Sequence, residues 1–210
     1  MNQNTRRIPT RTLTILGILS AIEIIMAFTP LGSIPIGPIV ATLAHIPVII
    51  AGVTLGVGAG AYMGGLFGLL SFIVNTMMPT VTSFIFTPFY SVGQVSGNPW
   101  SLVICFVPRI LLGVVAGLLF RVIAAHDKHK YVAYTVSAVV ASLVHTALVL
   151  GGLYVFFGRT YAQVIGQAYE ALLGLIGTVV LTNGIPEAIL AAILAVAVGK
   201  ALEKLSRRPA

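Results

Sequence analysis

Charge is scarce in this chain. Of 210 residues only 8% are charged, and the acidic ones are Glu23, Asp127, Glu170, Glu187 and Glu203. Ordinary soluble domains carry about 25% charge, which argues against a water-soluble enzyme. Cysteine is almost missing as well. The single Cys105 lies in apolar sequence, cannot form an intrachain disulfide, and reads as core filler. No G-x-x-x-x-G-K-[ST] segment occurs, so the chain does not hold ATP by a P-loop. H-E-x-x-H and G-x-S-x-G are missing too; residues 93–97 read GQVSG, with the serine misplaced for a nucleophile elbow. His45 and His145 have no carboxylate or thiol at ligand spacing and read as core histidines rather than zinc ligands. No catalytic constellation emerges, and the pattern calls for no cofactor and no metal.

What is abundant is apolar sequence. Hydrophobic residues make up 58%, and the mean hydropathy is +1.03. At roughly 20 residues per helical crossing, the expectation is an all-α membrane protein, a six-helix transmembrane bundle occupying 1–210 as one domain. The apolar runs place spans near 12–28, 40–55, 59–76, 100–125, 131–157 and 185–202. Pro30, Gly32, Pro35, Gly37 and Pro38 break the chain after the first; Gly56 and Gly58 make a tight turn after the second. The stretch 77–99 carries no charge and several aromatics, so it is expected to lie against protein or the interface. Residues 159–175 read as a partly amphipathic linker helix. Gly52, Gly56, Gly60, Gly64 and Gly68 recur every four residues, and Gly113 and Gly117 share that spacing. Small faces of this kind let helix backbones approach closely in lipid. In spans three and four internal packing is the favoured reading. In spans one (Gly17, Ala21) and six (Ala191, Ala195, Gly199) a partner protein is an equal alternative.

The net charge of +7 is sorted along the chain. Arg6, Arg7 and Arg11 precede the first span; Arg121, Lys128 and Lys130 mark the centre; Lys200, Lys204, Arg207 and Arg208 follow the last. This is the positive-inside pattern rather than a nucleic-acid footprint, and it puts both termini in the cytoplasm. The first span reads as a retained helix, not a signal peptide.

Ionisable residues at membrane depth default to functional hypotheses. They are Glu23, His45, Arg109, His145 and Glu187, with the amides Asn75 and Asn183. On the six-span topology all fall in the outer half or at mid-depth. A pore would distribute polar groups along its length; this asymmetry suggests a cavity open to the outside that binds a small solute. Structural pairing of Glu23, Arg109 and Glu187 is the competing reading. The segment 182–187 (TNGIPE) carries a helix-start signature, whose free N–H groups, with Arg109, suit a carboxylate or phosphate.

Three segments carry a resemblance: FTPLGSIPIGPIVATLAHIPVII (28–50), GGLFGLLSFIVNT (64–76) and VPRILLGVVAGLL (107–119). They resemble the S components of energy-coupling factor (ECF) vitamin transporters over nearly the whole chain. Pantothenate-type members look most similar; riboflavin-type members share much of the pattern. The resemblance implies high-affinity binding of an external vitamin and docking on an energising module of a membrane coupling protein and two ATPase subunits. It implies no enzymatic activity, a lid at 29–38, and a docking face at Gly17 and Ala21. Arg109, Asn75, Asn183, Glu187, His45 and His145 are the candidate ligand contacts. Tyr90 and Trp100 are candidate aromatic contacts. A riboflavin or other small-vitamin S component, or a self-sufficient secondary carrier, stands as the alternative.

Overall fold

The structure is a computed structural model that describes residues 9–36 and 39–206. Arg6, Arg7, Gly37, Pro38, Arg207 and Arg208, on which parts of the topology and lid expectations rest, lie outside the described residues. The helices are α1 (Thr10–Phe28), α2 (Ile46–Leu55), α3 (Val57–Met77), α4 (Pro99–Ala124), α5 (Tyr131–Val164), α6 (Leu172–Val179) and α7 (Ile185–Ser206). Two small antiparallel hairpins interrupt them: β1 (Ser33–Ile36) with β2 (Ile39–Thr42), and β3 (Ser91–Val92) with β4 (Val95–Ser96).

Among the described residues, five helical tracts are long and apolar enough to cross a membrane: Thr10–Phe28, Val57–Met77, Pro99–Ala124, Tyr131–Val164 and Tyr169–Leu205. The second expected span is therefore corrected. Its first residues form strand β2, and the helix that follows has only 10 residues, about 15 Å at 1.5 Å per residue. Pro47 explains the late start, because proline is tolerated only in the first helical turn. The expected linker helix at 159–175 is also corrected. Residues 159–164 contain no breaker, so α5 continues through them, and the chain turns only at Gly166, whose φ of 66° favours glycine. The last helical tract then begins at Tyr169, well before 185.

Glycine sets the packing of the central helices. Gly56, at φ 98°, makes the turn between α2 and α3. Gly60 and Gly113 meet backbone to backbone, and a Cβ on either would enter the other's peptide. A Cβ at Gly64 would enter the Arg109 carbonyl, and one at Gly52 would press on Gly113 and Ala116. The Cys105 thiol donates to the Gly68 carbonyl at 3.3 Å. Gly60, Gly64 and Gly68 of α3 and Gly113 and Gly117 of α4 are thus internal packing, as expected. In α7, Ala191 and Ala195 are buried and Gly199 abuts the Tyr134 ring, which settles that face as internal too.

Polar contacts finish the helix ends. Asn98 caps α4 by accepting from the Trp100 N–H at 2.9 Å, while its own N–H donates to Ser101 Oγ at 3.1 Å. Ser101 in turn donates to the Phe84 carbonyl at 2.7 Å, which pins the 77–98 stretch on the bundle. Phe84 and Ile85 are fully buried there, so this uncharged connection does lie against protein. At the other end, Asp127 accepts from the backbone N–H groups of Ala133 and His129, and the first of these does most to hold its carboxyl below the ordinary range.

Two predictions follow from these contacts. Gly64→Val overpacks the α3–α4 seam and lowers stability by about 1–3 kcal/mol, read as a fall in Tm in detergent. Gly17→Val, where nothing lies within 4 Å, leaves Tm unchanged. Because the Asp127 carboxyl is held down in the folded state, its contribution is present above the unfolded value of about 3.9 and fades as pH falls below it. Asp127→Asn therefore lowers Tm at pH 7, and the gap to the unchanged chain narrows as pH falls through the lowered carboxyl range.

Candidate functional site

α3, α4, α5, the last helical tract and the residue before α2 line a half-open cavity of about 230 Å³. His45, Arg109, His145, Asn183 and Glu187 all line it, with Phe67, Thr146, Val149, Leu150, Val179 and Gly184. Each element delivers its residue for a local reason. His45 precedes the proline-initiated turn of α2. Arg109 follows Pro108 inside α4, at the level where Gly64 admits the α4 backbone. Asn183 and Gly184 belong to a widened, π-helical turn at Val180–Gly184.

That turn corrects the expected helix start at 182–187. The helix runs through it from α6 into α7, so the N–H groups there do not form a free helix end. Pro186 is the physical reason. Its ring clashes with the carbonyl four residues back in a regular α-helix, and a π turn relieves the clash without ending the helix. Polar side chains, not a helix dipole, therefore make this wall. Asn183 Oδ1 accepts from the Thr182 hydroxyl at 2.8 Å, which aims its amide.

Arg109 is the centre of the opposite wall. It is only 6% exposed. One terminal nitrogen donates to the Ile104 carbonyl, and the guanidinium carbon stands 4.9 Å from the Phe86 ring centre and 5.6 Å from that of Phe67. Among the described residues its Nε makes no hydrogen bond, and neither does Nε2 of His145. The His45 and His145 rings stack at 6.4 Å, and His45 Nε2 lies 3.4 Å from Ser142 Oγ. A buried cation with an uncommitted N–H, two imidazoles, an amide and a carboxylate thus line one half-open space. Such a set holds a solute bearing both an anionic group and hydroxyl or amide groups.

Three candidates lie elsewhere. Asn75 accepts from Ser83 Oγ and donates to the Ser71 carbonyl, each at 2.8 Å, and so anchors the connection after α3. Trp100 stacks on Phe156 with ring centres 4.3 Å apart and is half exposed, like an interfacial anchor. Tyr90 packs against the apolar cluster of Phe84, Ile104 and Phe157. Glu23 is fully buried, and neither of its carboxyl oxygens has a hydrogen-bond partner among the described residues, so it does not pair with Arg109. Gly17 is open on its Cβ side and Ala21 is exposed; both lie on the outside of α1. The apolar lining escaped the sequence reading. Val149 lies one helical turn beyond His145, but nothing distinguishes it from the other valines of α5.

Strand β2 packs on the π turn and on α7. The hairpin between α1 and α2 therefore sits beside the cavity wall, where a lid is expected. Its position is held by the Leu43 N–H, which donates to the Gly32 carbonyl at 2.9 Å.

The chain was compared with known proteins. A family model described as "ECF transporter, substrate-specific component" matches residues 11–199. The pantothenic acid transporter PanT of Lactococcus lactis subsp. cremoris (strain MG1363) is 37% identical over 168 residues, 80% of each chain. The pantothenate transporter PanT of Leuconostoc mesenteroides subsp. mesenteroides is 28% identical over 207 residues, 95% of each chain. Among solved structures, an S component for biotin from an ECF-type ABC transporter superposes with a TM-score of 0.51 at 19% identity. It covers 97% of this chain and 95% of its own, and shows a shared fold.

These contacts predict a separation of roles. Asn75→Ala costs about 1–2 kcal/mol of stability through two lost hydrogen bonds and shifts ligand affinity less than about threefold. Glu23→Leu removes an unpartnered buried carboxyl and raises stability by about 1–3 kcal/mol. Both are read by thermal unfolding, alongside calorimetric titration for Asn75→Ala.

Proposed function

The chain belongs to the family of ECF transporter substrate-specific components, multi-pass cell-membrane proteins with no catalytic role, and we propose that it binds pantothenate on the outer side and delivers it inward. The observation that carries this reading is the cavity of about 230 Å³ with Arg109 on one wall and Asn183 and Glu187 on the other. Pantothenate is a small acid with one carboxylate, an amide, two hydroxyls and a gem-dimethyl group. The Arg109 Nε–H meets the carboxylate, Asn183 and Glu187 meet the hydroxyls, and Val149, Leu150 and Val179 receive the methyl groups. At about 230 Å³ the cavity lies below the usual ligand range of about 300–1,000 Å³, which suits a molecule of this size better than the tricyclic ring of riboflavin. The printed names of both curated relatives point the same way.

We read the topology as six crossings with both termini inside. α2 is too short to cross alone and does so together with the hairpin before it. The basic residues Arg11, Arg121, Lys128, Lys130, Lys200 and Lys204 support this reading, since they fall at one side on that topology. The energy for release comes from a separate module with two ATPase subunits, docked against the exposed Gly17 and Ala21 face of α1.

Calorimetric titration of the purified protein with a panel of vitamins tests the assignment. Pantothenate binds in the submicromolar range, and riboflavin and biotin give no heat; a flat pantothenate trace beside a clear response to another vitamin refutes it. Arg109→Ala weakens pantothenate by about 2–3 kcal/mol, as expected for a charge-assisted hydrogen bond. The neutral alcohol analogue weakens far less. Equal losses would make Arg109 a structural residue.

A further inference from the structure

A second polar pocket, of about 250 Å³, lies at the opposite end of the bundle, where α1 and α5 start and α2 and α7 end. Its polar wall is Arg11, Lys130, Tyr134 and Glu203. Glu203 is shared: Lys130 Nζ lies 3.0 Å from one oxygen and Lys200 Nζ 2.9 Å from the other, and the Tyr134 hydroxyl donates to it at 3.3 Å. Lys128 and Lys204 line a neighbouring pocket that shares Lys200 and Glu203. Five basic side chains thus line these two pockets beside one acid, and the excess charge sits where helices leave the membrane.

The pocket does not end in protein. It shares Ile15 and Leu202 with a groove of about 340 Å³ lined only by apolar side chains. The groove climbs α1 through Ile18, Ile22 and Met26, against Leu194 and Val198 of α7. From Ile15 to Met26 the helix rises about 16 Å, close to half of the roughly 30 Å hydrocarbon core. A cationic pocket at the membrane edge that opens into an apolar channel one leaflet long has the shape and charge of a phospholipid.

We propose that this end of the bundle is a binding site for one anionic phospholipid, its phosphate between Arg11 and Lys130 and one acyl chain in the groove between α1 and α7. The lipid bridges the start of α1 to α7, a junction otherwise held by the Arg11 guanidinium donating to the Leu202 carbonyl at 2.9 Å. Because α1 has only Leu19 and Glu23 buried, a lipid seated here is a substantial part of what holds that helix.

Native mass spectrometry of the detergent-purified protein tests this, with phosphatidylglycerol and phosphatidylcholine offered at equal concentration. Phosphatidylglycerol is retained about tenfold or more in excess. The Arg11→Gln/Lys130→Gln double variant loses that preference, since each cation near an anionic headgroup is worth roughly fivefold. Ile22→Trp fills the groove and lowers retention of phosphatidylglycerol, and millimolar glycerol 3-phosphate does not displace the lipid. Circular dichroism checks folding; should the double variant fail to fold, Lys130→Gln and Ile22→Trp carry the test. Equal retention of the two lipids overturns the proposal. So does displacement by glycerol 3-phosphate, which would mark a soluble-phosphate site. Full lipid retention in Ile22→Trp with loss of coupling-protein binding would give the groove to a protein and overturn it equally.

Discussion

The close backbone contact between α3 and α4 is the constraint on which the rest of this protein depends. In lipid, apolar side chains gain nothing from leaving one hydrocarbon for another, so helices associate through packing and polar contacts. Glycines at 52, 60, 64, 113 and 117 remove the side chains that would hold α2 and α3 away from α4. The same contact positions the chemistry. Gly64 lies on the Arg109 carbonyl, and Phe67, three residues further along α3, stands beside the Arg109 guanidinium. The seam that builds the bundle also carries the cationic wall of the cavity.

A buried arginine in such a seam needs partners. Arg109 has the Ile104 carbonyl and two aromatic faces, each of which offsets part of the desolvation cost. Its Nε is left for a ligand. The opposite wall is made by a different device, a π turn that lets the last helix carry Pro186 without breaking. The turn projects Asn183 and Glu187 inward from the middle of a long helix instead of from a helix end. One wall is rigid through glycine packing; the other is a widened helical turn with strand β2 against it. Substrate capture fits the second wall, since a widened turn and a hairpin move at less cost than a glycine-packed seam.

Much of this was legible in the chain itself, for identifiable reasons. The number of long apolar runs, the glycine period and the charge asymmetry are one-dimensional signals, and they led to the helices, to the α3–α4 seam and to the basic end. The rarity of ionisable residues at membrane depth brought out His45, Arg109, His145, Asn183 and Glu187, which line one cavity. Asn75 stood out by the same rule but answers a local demand, the anchoring of the chain after α3. Trp100 and Tyr90 were chosen as aromatic surface and are engaged by neighbouring rings and apolar side chains. The helix start at 182–187 misled because a cap residue followed by proline has two solutions. A helix can begin there, or an existing one can widen, and only the packing of Gly184 on Thr146 selects the second. The apolar lining was invisible because a valine facing a cavity and a valine facing lipid look the same in sequence.

The central claim is that one small cavity between α4, α5 and the π turn is where the vitamin binds. Val149→Trp tests it directly, because it fills that space without removing any charged or hydrogen-bonding group. Titration with pantothenate, beside thermal unfolding of the same sample, is the measurement. The account predicts an affinity loss of about a hundredfold or more with Tm nearly unchanged. Full affinity in a folded Val149→Trp protein would contradict it and place the binding site elsewhere.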